Sequence, residues 1–191
     1  MISPFAALFI AIQQRLATIL DVNSQQAIKF IDQDLSQLED TAGGYNRPPV
    51  SWPCALIDIH DTSFTSYAAL VQQGQVGVSI RLGFPPFSST ALQVPVADRN
   101  KALYYYDLEQ AIVLALHGWT PGTVTIDDNG NTFDLSNIFG DLIRMRAVKE
   151  DRNDLLRVRC IYFTLPMEDH STEEVQQYTS ATPNFTIGLT D

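Results

Sequence analysis

The stretch DIHD, residues 58–61, groups side chains that can bind a metal ion. Asp58, His60 and Asp61 offer one imidazole and two carboxylates, which are ligand types found in catalytic zinc sites. The residues before them read as a β-strand, so alternation places Asp58 and His60 on one sheet face and sends Asp61 into the following loop. A set dispersed in this way is typical of a solvated strand end. We therefore expect no metal here, and a metal-dependent enzyme built on these residues is the least favoured alternative.

The remaining candidates for chemistry are isolated. His117 lies near the end of a predicted helix, where an imidazole meets the negative end of the helix dipole, and His170 lies in a polar tail with no nucleophile to serve. The sequence DDNGNTFD, residues 127–134, resembles a calcium loop, but its glycine comes too early and the bidentate glutamate is missing. The chain contains no GxGxxG, Walker A, HExxH or GxSxG motif. We therefore expect this protein to have no enzymatic activity, no catalytic residue and no cofactor.

Four arginines in a predicted β-hairpin, residues 142–166, are the most informative side chains. The stretch from Arg144 to Arg159 holds six of the twelve Lys and Arg residues, although the formal net charge of the protein is -10. All four alternate with apolar residues, as in a strand with two different faces. They are Arg144, Arg146, Arg157 and Arg159.

A turn at residues 151–152 would place Arg144 opposite Arg159 and Arg146 opposite Arg157, on one face of the sheet. Like charges that face each other across a sheet are destabilising, so this patch requires carboxylates. In one interpretation it is a solvated face whose aliphatic stems lie on the sheet. In the other, an acidic surface of an identical subunit docks there through bidentate arginine–carboxylate pairs. Our hypothesis is that the four arginines form a subunit interface.

Composition limits the possible classes of protein. With 191 residues, 45% of them hydrophobic, the chain is long enough for one sizeable core in a single domain. A net charge of -10 argues against sequence-independent DNA binding, which depends on Lys and Arg. Cys54 and Cys160 lie in strand-like runs without CxxC spacing, which favours small buried thiols in a reducing compartment. The apolar run near the N-terminus is too short to cross a bilayer, which predicts cytosolic synthesis without membrane insertion.

The hydrophobic pattern predicts two principal helices. Ser3 and Pro4 form a start signal for the first, and Asp98 is the expected cap of a second helix that runs to Gly118. The segment 24–40 is predicted to be short helix or turn. Residues expected to join the helices to the sheet recur at helical spacing; they are Phe5, Phe9, Leu16, Leu108 and Ile112.

The same pattern predicts strands at residues 50–60 and 75–84, adjacent and antiparallel. A small hairpin about Asn129 and Gly130 follows the second helix, and the arginine hairpin comes after it. Together these elements predict an α+β fold, with helices packed on one face of a mainly antiparallel sheet. We assign residues 1–170 to one domain and residues 171–191 to a polar C-terminal arm.

The order of these elements resembles that of the tail terminator, or tail completion, proteins of long-tailed bacteriophages and prophages. The resemblance lies in an N-terminal helix, the strand WPCALIDI after a proline-rich break, QGQVGVSIRLGF, a central helix, and the hairpin IRMRAVKEDRNDLLRVRCIYFTL followed by MEDHST. It covers residues 1–170 as a pattern. The chain departs from it by the long segment 118–139 and by its C-terminal tail.

The resemblance implies a structural protein of the virion, assembled in the cytoplasm of a bacterial host. Such a protein forms a homo-oligomeric ring, a hexamer in this family, that caps the tail tube and joins it to the head and neck. Its expected partners are copies of itself, the tail tube protein and a neck protein, while DNA passes without specific binding. The alternative function is that of a head-to-tail connector protein, which also forms a ring.

Overall fold

The computed structural model describes residues 2–39, 49–68, 71–85, 90–152 and 156–169. In these residues the chain forms two helices and seven strands. They are α1 (Pro4–Ala17), β1 (Phe30–Gln33), β2 (Cys54–Ala68), β3 (Val71–Phe84), α2 (Val96–Leu116), β4 (Thr123–Thr125), β5 (Thr132–Asp134), β6 (Ile143–Lys149) and β7 (Arg157–Asp169).

Five of the strands form one sheet in the order β1-β2-β3-β7-β6. The pairing is antiparallel except between β1 and β2, which are parallel. β4 and β5 make a separate antiparallel pair. The predicted α+β fold with a mainly antiparallel sheet is therefore confirmed, whereas the proposed C-terminal arm lies outside the described residues.

The first helix begins as its sequence predicts. Ser3 caps it by accepting a hydrogen bond from the backbone N–H of Ala6 on its hydroxyl oxygen, and Pro4 occupies the first turn. The face toward the sheet includes Leu16, which is fully buried. Phe5 and Phe9 are half-buried at the margin of that face and pack against the core.

The second helix begins one turn earlier than predicted. Its cap is Pro95, whose carbonyl accepts hydrogen bonds from the N–H groups of Asp98 and Arg99. Asp98 therefore lies in the first turn, where its charge meets the positive end of the helix dipole, and the prediction that it is the cap is wrong. At the other end the helix stops at Leu116, and Gly118 takes the left-handed conformation with φ of 75° that a glycine adopts without strain.

The segment 24–40, predicted to be short helix or turn, contains the strand β1 between turns. Phe30 packs on one side of the sheet and Ile31 on the other, so both are covered when the chain is extended beside β2. In an α-helix, consecutive side chains point about 100° apart, so these two would not lie on opposite sides of the sheet. The pairing of β2 with β3 is confirmed, but β2 continues to Ala68, so the expectation that Asp61 begins a loop is wrong.

The core lies between the helices and one face of the sheet, which we call the inner face. Leu108 and Ile112 of α2 are buried in this cluster together with alternate residues of β3 and β7. A smaller cluster on the opposite, outer face contains Leu38, Cys54, Leu56 and Val158. Cys54 and Cys160 are both buried and free, as the strand-like context of each suggests.

The predicted hairpin at Asn129 and Gly130 is confirmed as the connection between β4 and β5. The Asp127 carboxylate accepts hydrogen bonds from the backbone N–H groups of Asn129 and Asn131, each 3.0 Å long. A side-chain hydrogen bond from Asn131, together with these backbone bonds, holds the pKa of Asp127 below its ordinary value. The carboxylate thus stabilises the turn in which it lies. In the described part of the chain, neither helix is long and apolar enough to cross a membrane.

Candidate subunit interface

The strand β6 forms one margin of the five-stranded sheet. It pairs with β7 on one side, and in the described residues no strand lies on the other. Six of its seven residues are exposed. A sheet edge presents backbone N–H and C=O groups that can pair with another chain, which makes this margin the first candidate for an interface.

The arginines of the hairpin do not face each other as the sequence suggested. Lys149, and not Arg144, lies opposite Arg159, because the connection between the two strands is longer than a two-residue turn. Arg144 lies opposite Phe163, and a register shift before Arg146 changes the alternation of the strand. The prediction of four guanidinium groups on one face is therefore wrong.

Arg159 belongs to the inner face and fastens α2 to the sheet. Its Nε and Nη2 atoms donate to the two carboxylate oxygens of Glu109, each over 2.8 Å. Glu109 is 9% exposed, so this bidentate pair is largely removed from water. The hydrogen bonds from Arg159 to Glu109 raise the pKa of the guanidinium further above its ordinary value.

Arg157 also serves its own subunit. Its Nη1 donates to the carbonyl oxygen of Ala102 over 3.0 Å, and its guanidinium carbon lies 4.4 Å from the ring centroid of Tyr105. Burial and the neighbouring Tyr106 hydroxyl raise the pKa of Tyr105 to about 12, so the ring stays neutral beneath the cation. Arg157 and Arg159 thus already have partners within the chain.

Arg144 and Arg146 are exposed at the sheet margin, Arg144 at an inner-face position opposite Phe163 and Arg146 on the outer face. Arg146 lies over the ring of Tyr162, 4.3 Å from its centroid, on the outer face. Arg144 is exposed, and its backbone N–H donates to Nδ1 of His117 over 3.1 Å. His117, for which the sequence suggested a role at the dipole end of the helix, therefore also joins the end of α2 to β6.

Large apolar side chains accompany these two arginines. Ile143, Met145 and Val148 of β6 are all exposed, Met145 by 64%. Four more apolar or aromatic side chains are exposed on α2, the helix that His117 joins to this strand; they are Val96, Leu103, Tyr106 and Leu114. We call the exposed side chains of β6, together with the sheet edge that this strand forms, the β6 surface. Cations beside apolar side chains are the composition expected of a docking site for a partner with carboxylates.

Two of the three residues considered as metal ligands, Asp58 and His60, have described side chains, whereas the side chain of Asp61 lies outside the described part. Asp58 and His60 are half-buried on β2, opposite Ser79 and Gly77 of β3. The His60 ring lies edge-on to Tyr162, with centroids 6.2 Å apart. Among the residues that the structure describes, no three His, Cys, Asp or Glu side chains come together as a metal site requires.

Sequence reasoning missed Arg81, which organises the outer face. Its Nε and Nη2 donate to the two carboxylate oxygens of Glu150, over 2.7 and 2.9 Å. Its Nη1 donates to Asp34 and Glu39, each over 3.0 Å. Burial acts to lower the pKa of this guanidinium, but the bonds to Glu150 and Asp34 outweigh it and raise that pKa. The available signal was an arginine at an alternating position inside the apolar run SIRLGF.

Comparisons with known proteins find likeness only among solved structures, where 22 chains match. No protein-family model matches the chain, and no curated protein matches it. A chain in the solved structure titled "Virion of native gene transfer agent (GTA) particle" is similar with a TM-score of 0.49 and 12% identity. The match covers 88% of this chain and 100% of that one. At this distance no statement about function follows from the likeness.

Proposed function

We propose that the protein is a structural component of a phage-like virion, in which identical subunits assemble into a ring through the β6 surface. The observation that carries the proposal is the margin at β6, where one strand combines an edge unpaired within the described residues, exposed apolar side chains and an exposed arginine toward each face of the sheet. Natural proteins usually blunt such edges with charge, proline or a covering element. β6 carries charges and a register shift of this protective kind, but it also exposes apolar side chains, which a specific partner would cover on assembly.

The charge of the chain supports a partner of the same kind. Arg144 and Arg146 lie on a molecule with 22 acidic residues and a formal net charge of -10. A second copy therefore supplies carboxylates in abundance, and guanidinium groups pair with them bidentately. Arg157 and Arg159, held by α2 of their own chain, act indirectly by fixing the helix that borders the surface.

The order of the elements supports a place at the end of the tail. The succession α1, β2, β3, α2, β6 and β7 is the order on which the resemblance to tail terminator proteins rests. In this role the ring caps the finished tail tube and binds the neck of the particle. A net acidic ring also suits a channel for DNA, because it does not retain phosphate backbones.

Electron microscopy of the purified protein, combined with its mass in solution, tests the assembly. We expect rings with a central opening and a mass that is an integral multiple of the chain mass. Monomers at every concentration examined would contradict the proposal. Labelling the protein in intact particles then distinguishes a cap on the tail tube from a connector in the neck, which would also form a ring.

The proposal gives the protein no catalytic role. We expect purified protein to hold no stoichiometric metal by elemental analysis and to show no hydrolysis of common ester, phosphate or peptide substrates. A robust activity that His60→Ala abolishes would contradict this part of the proposal, independently of whether rings form.

A further inference from the structure

A second surface, distinct from the β6 surface, lies where the first helix crosses the sheet. It is an open groove of about 620 Å³ between α1 and the inner face of β2. Its walls are mostly apolar and include Phe5, Phe9 and Ile10 of the helix and Ile57, Ile59 and Phe64 of the strand. We call it the α1–β2 groove. A groove of this kind fits a ligand with apolar side chains spaced along an extended backbone.

The floor of the α1–β2 groove ends at an open sheet margin. β1 pairs with β2 only as far as Gln33 opposite Ile57, where the N–H of Asp34 donates to the Ile57 carbonyl over 2.9 Å. β2 continues to Ala68, and no strand of the described residues lies beside this continuation on the β1 side. A further strand added here would extend the sheet in line with β1.

Phe64 bounds the groove at its far end. It lies opposite Gly74 of β3, and a Cβ atom at Gly74 would stand 2.9 Å from Cδ1 of the phenylalanine ring. The glycine therefore lets this ring lie across the sheet, although the side chain remains 43% exposed. With the apolar lining of the groove, this ring extends an exposed apolar patch of the kind that another chain segment can cover.

The C-terminal sequence has the pattern that such a groove requires. In NFTIGLTD, residues 184–191, the apolar residues Phe185, Ile187 and Leu189 alternate with Thr186 and Gly188. An extended backbone would place the three apolar side chains on one side. In a strand, these three side chains would extend over about 14 Å.

The described chain ends close to the groove. Asp169, the last residue of β7, lies opposite Gln72 of β3, and Gln72 in turn lies opposite Ser66 of β2. The chain therefore leaves the sheet at the end where Phe64 lies, two strand spacings of about 4.8 Å from the open margin. Residues 170–184 can span up to about 50 Å when extended, which is ample for this distance.

We propose that residues 185–189 of the same chain add a strand to the open margin of β2 and insert Phe185, Ile187 and Leu189 into the α1–β2 groove. The occupant is thus the subunit's own C-terminal segment and not a second copy. This inference concerns a different surface from the ring assembly and does not depend on it.

Photo-crosslinking in the full-length chain tests the proposal. Phe9 is replaced by p-benzoylphenylalanine, the protein is irradiated, and the products are separated in denaturing gels and mapped by mass spectrometry. We expect a cross-link within one chain, at monomer mass, that joins position 9 to the peptide containing residues 184–191. The same photo-reactive residue at Tyr162, on the outer face, is the control and should not label that peptide.

A matched pair of substitutions checks the insertion of side chains. Ile187→Asp should lower the yield of the cross-link roughly tenfold or more, since burial of an isoleucine is worth about that factor in an equilibrium. Thr186→Asp adds the same charge one residue away and should leave the yield within about twofold. A link to another copy, no link to residues 184–191, or equal yields from the two variants would each overturn the proposal.

Discussion

Arg159 on β7 and Glu109 on α2 meet through two parallel hydrogen bonds of 2.8 Å, on the inner face of the sheet. The pair joins the helix to the sheet at a point where most other contacts are apolar. It also explains why a cation stands at an inward-facing position of a core strand, since a buried charge requires a partner.

We expect Glu109→Ala to lower the free energy of unfolding by about 1.5–3 kcal/mol, the cost of losing hydrogen bonds to a charged group. Asp107→Ala, which removes an equal charge from an exposed position of the same helix, should change it by less than about 0.5 kcal/mol. Urea unfolding followed by circular dichroism measures both. Equal effects of the two substitutions would show that net charge matters and the ion pair does not.

The Arg81 network predicts a specific dependence on pH. Burial tends to raise the pKa of Glu150, but its hydrogen bonds and charge interaction with Arg81 outweigh burial and hold that pKa below its ordinary 4.5. A carboxyl whose folded pKa is lowered stabilises the fold above its unfolded pKa, and this contribution is lost as pH falls through the folded pKa.

We therefore expect the free energy of unfolding of the wild type to decrease as the pH falls below 4.5. The Arg81→Met variant should be less stable at neutral pH and should lose less on acidification, since Glu150 then has no shifted pKa to restore. Urea titrations over a series of pH values measure this difference. Parallel curves for the two proteins would refute the assignment.

The two thiols should be unreactive in the folded protein. Burial raises the pKa of Cys54 to about 11 and also raises that of Cys160. A raised pKa keeps the thiol protonated to higher pH, so at pH near 8 the reactive thiolate of Cys54 is about a hundredfold scarcer than that of a free cysteine. Alkylation with iodoacetamide should be slow in buffer and rapid in concentrated urea. Fast modification of folded protein would mean that the outer cluster is open.

Substitutions in α1 should distinguish its buried face from the margin beside the α1–β2 groove. Leu8 is fully buried, so Leu8→Ala should cost about 2–5 kcal/mol of unfolding free energy. Phe9 is half-buried beside the α1–β2 groove, so Phe9→Ala should cost less than the 3–5 kcal/mol or so typical of an enclosed phenylalanine. Chemical unfolding of both variants checks the order. A larger loss for Phe9→Ala would place that ring in the core.

The sequence predicted those parts of the fold that depend on local pattern. The Ser3 cap, the pairing of β2 with β3 and the turn at Gly130 follow from hydrogen-bonding groups and alternation within a few residues. The strand at Phe30 was missed because four residues are too few to show a period, and its pairing partner lies beyond a proline-rich connection.

The arginine positions show what local pattern does not determine. Alternation correctly placed Arg157 and Arg159 on one face of β7, but that face is the inner one, which they share with Ile161 and Phe163. The register of the hairpin depends on the length of its connection and on the shift before Arg146. The partner of Arg159 is Glu109, fifty residues away in the chain. A pairing between a helix and a strand so far apart leaves no signal in a single sequence.

The central claim is assembly through the β6 surface, and the mass of the particle in solution tests it most directly. The Arg144→Glu, Arg146→Glu double variant reverses the two exposed cations of that surface. Lys29→Glu with Lys101→Glu reverses two exposed cations elsewhere and is the charge-matched control. Light scattering gives the mass of each, and circular dichroism reports whether the subunits stay folded.

We expect the wild type and the control to form the same ring, while the Arg144→Glu, Arg146→Glu variant yields folded single subunits. Raised salt should also weaken the wild-type ring, because ion pairs at a surface are screened. A double arginine variant that retains the wild-type mass, or a wild type that is itself monomeric, would contradict the account.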